Sequence, residues 1–211
     1  MVEFPDDKKG AILQASFEVF ITYGFRKTSM DDIARAVGMS RPALYQSFKN
    51  KTDIFRALSG HFCEVSLGKA EDQLLSQDDF ATRLTRAIEV SVVEMNKMVE
   101  STPHGMELMS VNDEIAHDLE EIWDKRFTTI LADAFSKADA SGEIDLSKIA
   151  MTAQDVAEVF FHAMEGLRAR CMRGEKVTDS IYTTVRFFAS VLSNSGSGEP
   201  AQLTPAVAQI A

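Results

Sequence analysis

The amino-acid sequence predicts an all-α protein, with an N-terminal three-helix bundle that contains a helix-turn-helix, followed by a larger helical body. Apolar residues recur at helical spacing along most of the 211 residues. No sustained alternation of apolar and polar residues is present that would indicate strands. The five prolines stand where helices would begin or be interrupted. Together these observations favour helices throughout the chain.

Composition places the chain among globular proteins and excludes several other classes. Apolar residues make up 45% and charged residues 26% of the sequence. No run approaches the roughly 18 apolar residues that a membrane span needs, and the start MVEFPDD is not a signal peptide. The only cysteines, Cys63 and Cys171, stand far apart, which favours a cytoplasmic protein over a disulfide framework.

Charge is distributed unevenly along the sequence. The net charge is −10, yet residues 8–60 carry +5, so the remainder carries −15. Such a polarised chain would present its basic end to phosphate and repel phosphate elsewhere. The acidic total therefore does not exclude a nucleic-acid partner.

Capping residues delimit four helices in the first third of the chain. Ser29 followed by Asp32 is typical of a capping box. Gly24 and Gly38 are suited to ending helices, and Pro42 is tolerated in a first turn. The predicted helices are Lys8–Tyr23, Met30–Val37, residues 41–48, and a longer helix that Asn50 and Asp53 open and that runs towards Ser76.

Longer helices and a terminal tail are predicted beyond residue 76. The Gly/Ser/Pro-rich tail is expected to be flexible, with docking of Val207 and Ile210 as the alternative. The chain thus divides into a head of residues 1–55, a body of residues 56–193 and a tail of residues 194–211. The predicted body helices are about Asp79–Val99, Gly105–Val111, Asp113–Ala138, Thr152–Gly174 and Thr178–Ser193.

Two short helices around the turn Gly-Met-Ser carry the functional signal. Neither would be stable alone, because isolated helices below about 12 residues are marginal in water. Docked on the first helix they form a helix-turn-helix, whose second helix enters the major groove of DNA. The alternative is a solvated charged loop over residues 26–51. It does not explain the turn, the second short helix and the basic cluster together.

The second short helix carries residue types that suit base edges. Arg41 can form paired hydrogen bonds to guanine, and Gln46 offers an amide to a base. Ala43 is small enough to lie against a thymine methyl group. Tyr45 offers a ring for sugar contact and a hydroxyl for phosphate. On the opposite face, Leu44 is expected to be buried.

Residues 12–55 resemble the N-terminal domain of the TetR family of transcriptional regulators. They read ILQASFEVFITYGFRKTSMDDIARAVGMSRPALYQSFKNKTDIF. The resemblance implies a homodimer with a DNA-binding head and a divergent helical body for ligand binding and dimerisation. It also implies a function that is most often that of a ligand-released repressor.

Two departures from the family pattern affect the predicted phosphate contacts. Ser47 stands where many members carry histidine, and Asp31 and Asp32 stand where some carry a basic residue. Those two carboxylates are favourable at a helix N-terminus. Lys49 and Lys51 flank the start of the fourth helix, whose free backbone N–H groups suit a phosphate. The predicted DNA-contacting residues are Lys27, Thr28, Ser29, Ser40, Arg41, Pro42, Ala43, Tyr45, Gln46, Lys49 and Lys51.

The last two predicted helices carry long apolar stripes. The sequence itself indicates only that they are amphipathic and buried. Resemblance to the family assigns them to a four-helix dimer bundle, and dimerisation doubles the contacts on a palindrome. The predicted dimer-interface residues are Val159, Ala163, Leu167, Val185, Phe188 and Leu192.

A Met- and aromatic-rich set in the middle helices suggests a small apolar or amphipathic effector. Methionine adapts to irregular apolar ligands, although ordinary core packing is the more common use of such residues. Residues 102–109 are the predicted gate, because Pro103 and Gly105 interrupt the helices there. The predicted ligand-binding residues are Met95, Met98, Met106, Met109, Trp123, Phe127, Phe161 and Met164.

Enzymatic and metal-binding motifs are absent from the sequence. No HExxH, CxxC or Gly-rich phosphate loop occurs, so we expect no catalysis, cofactor or metal. Asp113, His117 and Glu121 would share a helical face, for which a solvated surface is favoured over a weak divalent site. Three alternatives stay open: a helical scaffold without DNA activity, a regulator without an effector, and an activator.

Overall fold

The computed structural model describes residues 3–194, and the predicted tail lies outside them except for its first residue. The all-α fold is confirmed. A π-helical stretch, Glu89–Val93, joins α5 to α6 without a break, and the short 3₁₀ helix Leu146–Ile149 interrupts the connection after α8. The α-helices are α1 Lys8–Tyr23, α2 Met30–Val37, α3 Arg41–Tyr45, α4 Lys51–Leu74, α5 Phe80–Ile88, α6 Glu94–Ser101, α7 Gly105–Ile115, α8 His117–Ala140, α9 Ala153–Met172 and α10 Thr178–Leu192.

The predicted capping box of α2 is confirmed. The Ser29 hydroxyl accepts the backbone N–H of Asp32 at 3.2 Å, and the Asp32 carboxylate accepts the N–H of Ser29 at 3.0 Å. Gly38 ends the helix with a φ of 75°, a left-handed conformation that glycine adopts without strain. The bounds of α1 and α2 therefore match those predicted from their caps.

Helix α3 is shorter than the predicted span of residues 41–48. Regular helix ends at Tyr45, and the N–H groups of Ser47 and Phe48 both donate to the carbonyl of Leu44. The chain must turn here, because Asn50 already caps α4 by accepting the N–H of Asp53 at 2.8 Å. Gln46 therefore lies in the turn after α3.

The break between α7 and α8 also differs from the prediction. It falls at the buried Ala116, whose N–H donates to the carbonyl of Asn112 at 2.8 Å, and not before Asp113. Helix α7 extends past Val111 because Val111 and Ile115 pack against the apolar core of the head. The remaining body helices match their predicted positions to within two or three residues at most ends.

Two apolar cores are joined by α4. The head core gathers residues of α1, α2 and α3 around Ile54, Phe55 and Leu58 of α4. Further along the same helix, Leu67 and Leu74 belong to the core of the body. The predicted domain boundary after residue 55 therefore lies inside one continuous helix. A helix that spans both cores is suited to holding head and body in a defined relation.

Candidate functional site

The exposed surface of the head is built around α3. Leu44 is fully buried and anchors the helix to the head core, while Arg41, Tyr45 and Gln46 on the other side are exposed. The Ser40 hydroxyl accepts the N–H of Ala43 at 3.4 Å and caps the helix. The helix and the turn that follows it thus expose a guanidinium, a phenol and an amide to solvent.

The guanidinium of Arg41 lies beside a carboxylate and an aromatic ring. Its Nη1 atom is 3.1 Å from Oδ2 of Asp31, and its central carbon lies 5.5 Å from the centre of the Tyr45 ring. Both partners of the ion pair are largely exposed, and such pairs contribute only about 0–1 kcal/mol. The pair therefore leaves Arg41 free to exchange Asp31 for a base.

The other predicted DNA-contacting residues differ in exposure. Ala43 is half-buried. The exposed ones, besides those on α3 and in its turn, are Lys27, Ser29, Ser40, Pro42 and Lys49.

Thr28 and Lys51 point inwards, which contradicts their predicted role in holding phosphate. Thr28 is only 4% exposed, and its hydroxyl donates to the carbonyl of Gly24 at 2.7 Å. The Lys51 ammonium donates to the carbonyls of Phe25, Arg26 and Thr28 at 2.7, 3.2 and 2.9 Å. An ammonium has three donors, so all are used, and burial lowers the pKa of Lys51. Both side chains hold the loop between α1 and α2.

A cavity of about 270 Å³ lies in the body, just below the 300–1,000 Å³ range usual for small-molecule sites. It is bounded by side chains from α1, α4 and from α6 to α10. Sequence reasoning missed the contribution of α1 and α4, because nothing in their local pattern indicates which apolar side chains face an internal space. The predicted ligand residues that line it are Met95, Met98, Met109, Trp123 and Met164, and the apolar ones that were missed include Phe17, Phe62, Val92 and Leu108.

Three predicted ligand-binding residues lie outside the cavity wall. Met106 is 39% exposed on the outer side of α7. Phe127 is fully buried behind Trp123, with ring centres 4.5 Å apart and planes 17° apart. Phe161 packs against the body core. Helical spacing groups such residues by type, but each step of about 100° along a helix turns a side chain to another environment.

The cavity wall also contains charged residues that the sequence did not single out. Arg168 on α9 pairs with Asp113 at 2.8 Å and with Glu120. Asp124 faces the cavity from α8, and Glu165 faces it from α9. Glu120, Asp124 and the core residue Phe127 share one face of α8, and this spacing is the signal that could have placed the acidic side chains inwards.

Burial and repulsion raise the pKa of two of these carboxyl groups. Burial, followed by the charges of Glu165 and Glu120, raises the pKa of Asp124 to about 6. Burial likewise raises the pKa of Glu165, against the opposing effect of Arg168. Buried carboxylates near one another resist ionisation. The cavity wall therefore disfavours the ionised form of both carboxyl groups.

Helix α7 contacts both the cavity and the head. Its Glu107 carboxylate accepts the backbone N–H of Arg26 at 2.8 Å, which holds the pKa of Glu107 below its usual value. Val111 belongs to the head core, Met109 lines the cavity, and Leu108 does both. A ligand that displaced α7 would therefore also shift the loop that precedes α2.

Metal binding and thiol chemistry find no support in the described part of the chain. Asp113 lies on α7 and pairs with Arg168, so it does not share a helix with His117 and Glu121. Among residues 3–194, no group of three or more His, Cys, Asp or Glu could hold a metal ion. Burial raises the pKa of Cys63 to about 11 and that of Cys171 above its usual value, which disfavours reactive thiolates.

An exposed apolar patch lies on α9 and α10. It consists of Val159, Phe187 and Val191, which are 47%, 61% and 42% exposed. Val185 and Leu192, both predicted at the dimer interface, are 1% exposed and belong to the core of their own chain, so they are not available to a partner. Ala163, Leu167 and Phe188 are half-buried. The apolar stripe of each of these helices is broader than one helix face. The sequence therefore does not show which of its residues stay exposed in the folded chain.

Comparison with known proteins identifies the head. The family model "Bacterial regulatory proteins, tetR family" matches residues 12–58, which cover α1 to α3 and the start of α4. Residues 12–58 therefore form a DNA-binding domain of the TetR type. Members of this family are DNA-binding transcription factors and not enzymes.

Two relatives differ in how much of this chain they align with. The HTH-type transcriptional activator FasR of Mycolicibacterium smegmatis is 30% identical over 108 residues, which are 51% of this chain and 48% of FasR. The chain thus spans about half the length of FasR. The HTH-type transcriptional regulator TtgR of Pseudomonas putida is 25% identical over 163 residues, 71% of this chain and 76% of TtgR.

A solved structure of the same fold covers nearly the whole chain. SmeT, the repressor of the SmeDEF multidrug efflux pump of Stenotrophomonas maltophilia, aligns with a TM-score of 0.68. The alignment covers 94% of this chain and 96% of SmeT at 15% identity, so it shows the shared fold alone. A complex of SmeT with triclosan aligns with a TM-score of 0.66, at 17% identity, over 93% and 96% of the two chains. Within residues 3–194, no helix is long and apolar enough to cross a membrane.

Proposed function

We propose that this TetR-family protein is a homodimeric transcriptional regulator that binds a palindromic site in double-stranded DNA through α3. The observation that carries the proposal is the solvent-facing surface of α3, where Arg41, Tyr45 and Gln46 are exposed above the buried Leu44. A helix presented in this way suits the major groove. Exposed Lys27 and the +5 charge of residues 8–60 favour the adjacent phosphates.

Dimerisation is supported by the exposed apolar patch on α9 and α10. Val159, Phe187 and Val191 expose large apolar side chains at the end of the chain farthest in sequence from the head. A second copy of the same surface would remove them from water. Two heads about 34–36 Å apart would then reach successive major grooves on one face of the DNA.

The proposed effector is a small apolar or amphipathic molecule in the cavity of the body. The wall of methionines, aromatic side chains and a few polar groups is typical of such sites. The complex of SmeT with triclosan supports a small-molecule ligand for this fold. Because α7 contacts both cavity and head, a ligand that alters α7 would change the position of the DNA-binding surface.

Repression relieved by the ligand is the mode of action we propose. SmeT is named a repressor, which supports this mode of action. FasR is named an activator, so activation is the alternative, and observing it would contradict the proposal. Binding free energies are linked, so a ligand that lowers the affinity for DNA must bind the DNA complex less tightly by the same factor. A chromosomal partner would place the protein in the cytoplasm.

The proposal is tested by titrating the protein with DNA from upstream of its own gene and with a scrambled duplex. We expect preferential binding to the upstream DNA. Lys176→Ala removes a positive charge from the exposed α9–α10 loop, far from the head in sequence, and this control variant should bind both duplexes as the parent does. Reporter expression that falls when the protein is supplied indicates repression. No binding to either duplex, or to any duplex from a random pool, would leave a helical scaffold without DNA activity, and equal binding to all of them would contradict recognition of a specific site.

A further inference from the structure

The wall of the body cavity combines apolar and acidic side chains. Methionines and Trp123 form the apolar part. Its charged residues comprise four carboxylates and one guanidinium, a net charge of −3 when all are ionised. These charged residues are Asp113, Glu120, Asp124, Glu165 and Arg168.

The single guanidinium does not satisfy all the carboxylates. Arg168 pairs with Asp113 and with one oxygen of Glu120. The other oxygen of Glu120 is buried and has no hydrogen-bond partner in the described part of the chain. The Nδ1 atom of the exposed His117 lies 3.9 Å from this oxygen. Burying a charge without a partner is costly, so the site gains free energy when a counter-charge arrives.

Asp124 and Glu165 are further carboxylates without partners. Among residues 3–194, neither carboxylate forms a hydrogen bond or an ion pair. Both are half-buried and border the same cavity as Trp123. One face of the Trp123 ring is covered by Phe127, and its N–H donates to the Ser66 hydroxyl at 2.8 Å. The opposite face of the indole is therefore the one left for a ligand.

We propose that the cavity binds a lipophilic cation: an apolar, preferably aromatic body that carries one quaternary or protonated amine. Asp124 and Glu165 face the positive charge, and Trp123 and the methionines contact the apolar body. An ammonium group over an indole face gains a further cation–π attraction. The inference rests on the proposed function, because it names the chemical class of the effector of the same cavity.

Ligands of other charge fit this wall less well. A neutral ligand would displace water from Asp124 and Glu165 without replacing its hydrogen bonds, and an anion would add repulsion. A bare metal ion is disfavoured as well, since the described residues contain no group of three His, Cys, Asp or Glu that could hold one. A cation with an apolar body can contact the apolar side chains with its body and the carboxylates with its charge.

The pH dependence of binding follows from the groups around Asp124. Glu120 and His117 on α8, Glu165 and Arg168 on α9, and Cys63 on α4 all act on its charge or are acted on by it. A bound cation stabilises the ionised carboxylate and lowers the pKa of Asp124 from about 6. Cation binding should therefore strengthen as the pH rises from about 5 to about 8.

The test measures binding of three small probes to the full-length protein by calorimetry. Benzyltrimethylammonium, its neutral carbon isostere neopentylbenzene and the anion benzylsulfonate share a benzyl group and a tetrahedral head. We expect the cation to bind at least about tenfold more tightly than the neutral isostere and the anion to bind most weakly. Equal affinities for the three probes, or tighter binding of the anion, would overturn the inference, and so would the absence of binding by all three.

Charge-neutral variants connect this preference to the acidic wall. Asp124→Asn and Glu165→Gln should each weaken binding of the cation by about tenfold and leave the neutral isostere nearly unchanged. Glu158→Gln, on the exposed side of α9, removes the same charge and should have no effect. A cation that binds with this pattern but does not alter DNA affinity would contradict the proposed ligand response and not the charge preference.

Discussion

At the scale of single residues, Lys51 shows how a basic side chain in a DNA-binding head can be committed to folding. Its ammonium donates to three carbonyls of the loop between α1 and α2 and lies 4.5 Å from the centre of the Phe25 ring. The same loop contains the buried hydroxyl of Thr28. Lys49, two residues earlier, is exposed and makes no side-chain ion pair within the described residues. Two lysines with almost the same sequence context therefore have different tasks.

Replacing Lys51 should destabilise the head. In Lys51→Met the three carbonyls lose their donor, and we expect the free energy of unfolding to fall by about 1–3 kcal/mol. Urea denaturation followed by circular dichroism measures the change. The control Lys49→Met should stay within about 0.5 kcal/mol of the parent. Unchanged stability in Lys51→Met, with weakened DNA binding, would restore Lys51 to the phosphate contacts.

Asp124 gives the stability of the free protein a distinct dependence on pH. Burial raises its pKa from 3.8 to about 6 in the folded state, so the folded protein binds the proton more tightly than the unfolded chain. This group therefore stabilises the fold below about pH 4, and the contribution is lost as the pH rises through about 6.

Asp124→Asn should remove that pH dependence. The variant should be more stable than the parent near pH 8 and gain less from acidification to about pH 5, because asparagine has no proton to bind. Denaturant unfolding at both pH values, in the absence of any ligand, measures the effect. A variant that is less stable than the parent near pH 8 would show that the carboxylate has a stabilising partner.

At the scale of helices, caps decide how well the sequence predicts the structure. Helices α1 and α2 have caps at both ends and were placed correctly. The break at Ala116 was missed because no proline or glycine marks it, and α7 extends to pack on the head, which is a tertiary effect.

The cavity residues also depend on tertiary packing that the sequence does not show. Residue type identified Met95, Met98 and Trp123, whereas the partners of α8 and α9 decide which charges face inwards.

The outer face of α10 should hold the dimer together. Phe187→Glu places a charge in the proposed interface and is expected to give a folded monomer, because Phe187 is 61% exposed in the single chain. Analytical ultracentrifugation at micromolar concentration measures the change. Ser190→Glu, exposed on the same helix, tests whether any new charge there suffices. A parent protein that is already monomeric, or a dimeric Phe187→Glu, would contradict this interface.

Phe188 is a less informative position than Phe187 for testing the dimer interface. Its ring packs edge-on against Phe160 at 5.0 Å, so a charge there would disturb the core as well as an interface. Val185 and Leu192 are buried in the same core and would fail for the same reason. Disruption of dimers by substitutions at these positions would therefore not distinguish misfolding from dissociation.

At the scale of the whole molecule, charge and architecture support the same direction of assembly. Residues 8–60, which make up most of the head and the start of α4, carry +5, whereas the rest of the chain carries −15. DNA would therefore attract one end of the molecule and repel the other. Helices α4 and α7 contact both that end and the cavity, so the proposed ligand would bind against helices that also pack in the head.

The most direct test of the account is whether α3 reads base sequence. The parent, Arg41→Ala and Lys49→Ala are titrated against a selected operator and a scrambled duplex at several salt concentrations. Loss of a base contact should cost Arg41→Ala about 1–3 kcal/mol on the operator and reduce the ratio of the two affinities. Lys49→Ala should weaken both duplexes alike and lower the salt slope by about one. An unchanged ratio in Arg41→Ala, with a changed ratio in Lys49→Ala, would show that α3 does not lie in the groove.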